Sequence, residues 1–220
     1  MSKVEEAKIR ASKNPDDVTG WIHLVQTMDA EVRSLDPQKV WEAAVDRWTA
    51  LDRIAELAPS EEWMTTRAEH FGWMASVCAR SGRPELAAEL GLRELAALRA
   101  LLPHSGDLEA VANKMVPRAQ KLAEAAEVAE AAPQAAAALE HMLLALYVLA
   151  EATGKPEYAL QLAGVHVHAS IYAPDLAAET AHLEQALQLI GRLEEAGLHH
   201  PLQEAIKRDA REKLDRKTIH

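Results

Sequence analysis

The sequence predicts an all-α protein made of antiparallel helical hairpins stacked as an α-solenoid. Three observations carry that expectation. Apolar residues recur at helical spacing along most of the chain, while aromatic residues make up only 4% and no alternating β-branched run supports a strand. The stretch SGRPELAAEL from Ser81 returns as TGKPEYALQL from Thr153, 72 positions further on. A longer pattern beginning at Asp107 returns from Asp175, 68 positions further on, and its two copies end at Pro133 and Pro201. Helix pairs repeating at such intervals mark solenoids, in which each unit buries its apolar face against its neighbours.

The elements follow in order. Val18, Trp21, Ile22, Val25, Met28, Val32 and Leu35 form one apolar stripe after NPDD, whose aspartates suit a helix cap. Trp41, Ala44, Trp48, Leu51 and Ala55 form the next, after Asp36-Pro37, and proline fits a first helical position because its missing N–H has no partner there anyway. Ser60 is placed to cap a third helix running to about Arg80. Gly82 then supplies the left-handed residue that closes this helix, Pro84 opens the next and Glu85 favours its positive end. Gly154, Pro156 and Glu157 repeat the device, so each copy of the ten-residue stretch is a hairpin corner. Pro117 either kinks one helix or separates two. The alanine-rich run from Ala123 to Ala138 reads as closely packed helix ends around Pro133, because alanine and glutamate are strong helix formers. The expected organisation is a single helical domain over residues 1–220. It comprises an N-terminal helix pair (1–58), repeat units over 59–132 and 133–198, and a capping helix over 199–220.

These corners resemble tetratricopeptide repeats. The slots of that family's first helix are filled by Phe71, Met74, Ala75 and Cys78 before Gly82, and by Leu143, Leu146, Tyr147 and Ala150 before Gly154. The alanine after the corner is matched by Ala87 and Ala159. The sequence departs from the family at Gly91 and Ala163, where a large aromatic is usual, in helices too long for a 34-residue period, and in the late Pro103 and Pro174. The resemblance covers about a third of the chain and implies a TPR-like architecture of helix pairs whose groove receives a protein or peptide.

Composition narrows the function. A net charge of −10 disfavours nucleic acid, which needs a basic footprint. The mixed stretch KRDAREKLDRK from Lys207 reads as a solvated helix face whose basic residues complement the helix dipole. The opening MSKVEEAKIR has no apolar core of a signal peptide, no run of 18 apolar residues is evident, and Cys78 has no second cysteine. A cytoplasmic protein without a membrane role is expected on these grounds. No HExxH, CxxC, GxSxG or glycine-rich phosphate loop occurs, so neither a cofactor nor a catalytic residue is expected. Glu179-x-x-His182 has the spacing used in di-metal bundles but lacks the second pair such a site needs, so no metal is expected either.

The candidate binding residues lie on helix faces. In the third helix Met64, Phe71, Met74, Ala75 and Cys78 make the packing arc, and Glu69, Trp73, Ser76 and Arg80 make the opposite one. A tryptophan among charges fits a partner-facing surface, or else packs against another helix. The helix from Gln134 to Thr153 is apolar nearly all round, as a central helix is, with Glu140, Leu144, Tyr147 and Glu151 along one strip. His166 falls with Ala159, Ala163 and Ser170 on an inward strip, as a core or cavity-lining residue, whereas His168 falls with Glu157 and Gln161 on the wet side. The expectation is a non-catalytic scaffold binding a protein or peptide through Glu69, Trp73, Arg80, Glu140, Tyr147, Glu151 and His166. The alternative is a helical enzyme or small-ligand binder with a pocket closed by His166, Glu140, Tyr147 and Trp73, and a third reading is a subunit whose groove serves a homo-oligomer.

Overall fold

The computed structural model describes residues 2–31 and 37–218, and among these every regular element is helical. Val32, Leu35 and Asp36 of the expected second stripe and cap lie outside the described residues. The helices are α1 (Lys3–Lys13), α2 (Val18–Glu31), α3 (Pro37–Leu57), α4 (Glu61–Arg80), α5 (Pro84–Leu101), α6 (Leu108–Val128), α7 (Ala132–Thr153), α8 (Pro156–Ala169), α9 (Leu176–Glu195) and α10 (Pro201–Thr218). Short 3₁₀ turns follow α5 at Leu102–His104 and α8 at Ser170–Tyr172. Helices adjacent in sequence pack against each other within two compact units, Met1–Ser105 and Gly106–His220.

The two echoes in the sequence fall on one recurring order of elements. The order helix, glycine corner, helix, 3₁₀ turn, helix occurs once as α4–α5–α6 and again as α7–α8–α9. Gly82 and Gly154 hold φ of +69° and +64°, the left-handed conformation that a β-carbon penalises. Asp107 and Asp175 cap α6 and α9, each accepting from the amide three residues on, at 2.9 and 2.8 Å. The expected unit over residues 59–132 nevertheless runs across the division between Ser105 and Gly106. The physical reason is the α6–α7 pairing. Ala112, Ala119, Ala123 and Ala126 on α6, and Ala135 and Ala138 on α7, are all buried, so alanine faces let the two backbones approach closely.

Two further differences concern helices. Residues 1–58 hold three helices and not a pair, because Ser2 and Glu5 form a reciprocal capping box and Ala7 and Ala11 bury against the next helix. So few apolar positions left α1 almost silent in the hydrophobic pattern. Pro117 sits inside α6, which continues through it to Val128. The sequence reading saw no membrane-length apolar segment, yet α7 is long and apolar enough to cross a membrane by length and composition. It packs against both α6 and α8, the surroundings expected of the central helix it was read to be.

The first unit is centred on Leu24, Val25, Met28, Leu51 and Ile54, with Trp21 at the edge sending its indole N–H to the Pro15 carbonyl at 3.0 Å. Phe71, Met74 and Cys78 of α4 are buried, as their arc predicts. Phe71 meets Trp48 edge-on at 5.4 Å, and the Arg93 guanidinium from α5 lies 4.4 Å above the Trp48 ring. In the second unit α10 is tied down by Gln203, buried, which donates to the Leu198 carbonyl at 3.0 Å and accepts from the His200 amide at 2.7 Å. Lys207 adds an ion pair to Glu194 at 2.7 Å.

Candidate functional site

In the first unit α2, α3 and α4 enclose a pocket of about 270 Å³. Its α4 wall is made by Thr66, Glu69, His70 and Trp73, which helical spacing of three and four puts on one side. Ala43, Ala44 and Arg47 line it from α3, and Asp29 from α2. Trp73 is 41% exposed, although a large aromatic ordinarily loses most of its surface on folding. Its ring stacks on His70, with centroids 5.8 Å apart and planes inclined by 26°. His70 is buried, and its Nε2 lies 2.9 Å from the Ala44 carbonyl, so that nitrogen carries the proton and donates. Burial is the largest influence on this ring and pushes its pKa down to about 4, despite the carbonyl's opposing pull. It is therefore neutral at physiological pH. Asp29 grips Arg47 with both carboxylate oxygens, at 2.7 and 3.3 Å.

Of the residues singled out on this helix, Glu69 and Trp73 come together on the pocket. Arg80 is exposed in the last turn of α4, outside the lining. The sequence reading missed His70, Arg47 and Asp29. His70 lies three residues before Trp73, at the boundary between the packing arc and the wet arc, and that position was its only signal.

The second unit holds a chain of hydrogen bonds across α7, α8 and α9. The Tyr147 hydroxyl lies 2.8 Å from His166 Nε2, and His166 Nδ1 lies 3.0 Å from His182 Nδ1. With both rings neutral, two arrangements satisfy these contacts. Tyr147 donates to His166, which donates to His182, or every proton points the other way. Burial, and then the neighbouring His182, lower the His166 pKa to about 4. His182 is also pushed down by burial, against the opposing pull of Glu140. His166 is buried, in keeping with its inward strip, while Tyr147 is 40% exposed. Glu140 and Glu151 are exposed on the same helix. Spacing offers Glu179 as the neighbour of His182, and the structure gives it His166. Among the described residues no group of three or more histidine, cysteine or acidic side chains is placed to hold a metal ion.

A second polar cluster lies beside this chain in sequence. His168 pairs through Nε2 with Glu127 of α6, and Glu127 also takes a hydrogen bond from Tyr172. His168 borders two pockets of about 390 and 550 Å³, one against α6 and α7 and one against α10. The alternative reading joined Trp73 to Tyr147 and His166 in a single pocket. The structure places Trp73 in a pocket formed wholly by the first unit and the other two in a network formed wholly by the second.

No protein-family model matches the chain, and no curated protein sequence does. Solved structures similar to this chain include two of Nro1. One is the S. pombe nuclear import adaptor Nro1, at 14% identity and a TM-score of 0.48, with 86% of this chain and 64% of that chain covered. The other is a structure of Nro1 described as a hypoxic regulator of sterol synthesis and a nuclear import adaptor, with the same identity, TM-score and 86% coverage here, and 61% of that chain. This chain therefore spans less than two thirds of the length of either.

Proposed function

We propose that the protein is a non-catalytic, TPR-like helical-repeat scaffold that binds a protein or peptide, with the Trp73 pocket as the point of contact. The observation that carries this reading is Trp73 itself. A large indole stands 41% exposed at the mouth of a preformed pocket, held in orientation by a buried histidine behind it. Tryptophan and arginine dominate binding hot spots because they give large contact area with few torsions to immobilise. The acidic net charge and the single, buried cysteine fit a partner-binding protein of a reducing compartment such as the cytoplasm.

The test compares Trp73→Ala with the parent protein in affinity capture from the source cell, alongside thermal unfolding. The expected result is a partner retained by the parent and lost by Trp73→Ala, with melting temperature little changed. Phe71→Ala, which empties a buried core position two residues away, should instead cost about 3–5 kcal/mol of stability. Equal retention by the parent and Trp73→Ala sinks the reading.

A second reading has its own observation. The Tyr147–His166–His182 chain is a preorganised hydrogen-bond path with a histidine held neutral at its centre, as a small-ligand or catalytic site would have. Under this reading Tyr147→Phe alters ligand binding and leaves capture of a protein partner untouched.

A further inference from the structure

The chemistry around Trp73 also specifies what the pocket takes. We propose that it receives a cationic side chain, an arginine or a lysine, carried on a basic segment of the partner. This rests on the reading of the Trp73 pocket as the partner site and adds the chemistry of the occupant.

Among the described residues, the charges facing the pocket are Asp29 from α2, Arg47 from α3 and Glu69 from α4, together with His70. Arg47 is engaged by Asp29 in a two-point contact, which balances both charges, and His70 is neutral. Among the described residues, that leaves the Glu69 carboxylate. Glu69 and Trp73 stand one turn apart on the same side of α4, so an acid and the electron-rich face of an indole border the same space. One side of that indole is packed on His70, and the ring remains 41% exposed. A cation placed there gains attraction from the ring quadrupole and from the carboxylate together.

The same unit builds such a seat internally. The Arg67 guanidinium lies 5.6 Å from the Phe71 ring centroid while its Nε contacts the Asp52 carboxylate at 2.6 Å. That is a guanidinium held by an aromatic face and an acid at once, the arrangement Trp73 and Glu69 offer to a visitor. Charge complementarity over longer range agrees. A chain of net charge −10 attracts a basic segment and repels an acidic one.

The experiment titrates the full chain with four uncharged-end pentapeptides, Gly-Gly-X-Gly-Gly, in which X is arginine, lysine, citrulline or glutamate. The readout is the Trp73 indole N–H resonance in a proton–nitrogen correlation spectrum, assigned with Trp73→Phe. The arginine and lysine peptides should shift that resonance saturably, with citrulline, the neutral isostere of arginine, binding about fivefold more weakly or worse. Glu69→Gln, an exposed substitution, should weaken the arginine peptide several-fold while leaving the spectrum otherwise intact. Equal binding of citrulline and arginine, preference for glutamate, no saturable shift with either cation, or indifference to Glu69→Gln overturns the inference. The partner-site reading fails separately, when Trp73→Ala retains the captured partner even though the arginine peptide binds the pocket.

Discussion

His166 and His182 face each other Nδ1 to Nδ1 at 3.0 Å, joining α8 to α9 through a single shared proton. Both nitrogens cannot carry a proton at this separation. Burial already holds His166 down to about 4, and lowers His182 as well, so both rings give up their protons more readily in the folded protein than in the unfolded chain.

The pH dependence of stability follows. In the unfolded state His166 takes up a proton as pH falls through about 6.5, whereas in the folded state it resists until about pH 4, and His182 is shifted in the same direction. Stability contributed by the neutral His166 ring is therefore complete above about pH 7 and is lost progressively as pH falls toward 4. His70 in the first unit acts in the same direction. Melting temperatures measured between pH 7.5 and 4.5 should fall, and His166→Gln should flatten part of that fall. Parallel profiles for the two proteins would show that His166 does not carry it.

Helix α6 closes differently from α9. Both end with a 6→1 bond, from the Ala131 amide to the Ala126 carbonyl at 2.8 Å and from the Leu198 amide to the Leu193 carbonyl at 3.0 Å. The left-handed residue is Gly197 in α9 but Glu130, with φ of 55°, in α6. A side chain in that conformation costs about 1–2 kcal/mol. Glu130→Gly should thus raise stability by about 1 kcal/mol, and Gly197→Ala should lower it by a similar amount. Chemical denaturation of the two variants checks both signs.

Asp107 and Asp175 do equivalent work at the starts of α6 and α9. Replacing either with alanine should cost about 1 kcal/mol, and asparagine should recover most of it, since its side-chain oxygen can accept the same amide. Urea unfolding compares them directly. A neutral Asp175→Ala would mean that α9 is held by packing alone.

Much of the site was half legible in the sequence. The arcs of α4 put Phe71, Met74 and Cys78 inside and Glu69, Trp73 and Arg80 outside, and the structure agrees. At the start of α10 the His200 ring nitrogen accepts from the Leu202 amide at 3.2 Å, a cap supplied within the same turn. What escaped was every partner across a helix gap. His182 was paired in the reading with Glu179, its neighbour by spacing, and found His166 on a different helix. Nothing in the spacing of Asp29, Arg47 and His70 announced that three helices would bring them to one pocket.

The sequence by itself determined the helices after α1, their glycine and proline corners and the packing arc of α4. These depend on torsions, hydrogen bonds and periodicity acting within a turn or two of the chain, where residue order is spatial order. Only the tertiary structure decided that α6 pairs with α7 through alanine faces, that Trp73 stays partly exposed over a buried His70, and that His166 meets His182. Those outcomes depend on how helix surfaces interlock, and the closest approach of two faces is set by side-chain volumes on both, which no single stretch of sequence contains.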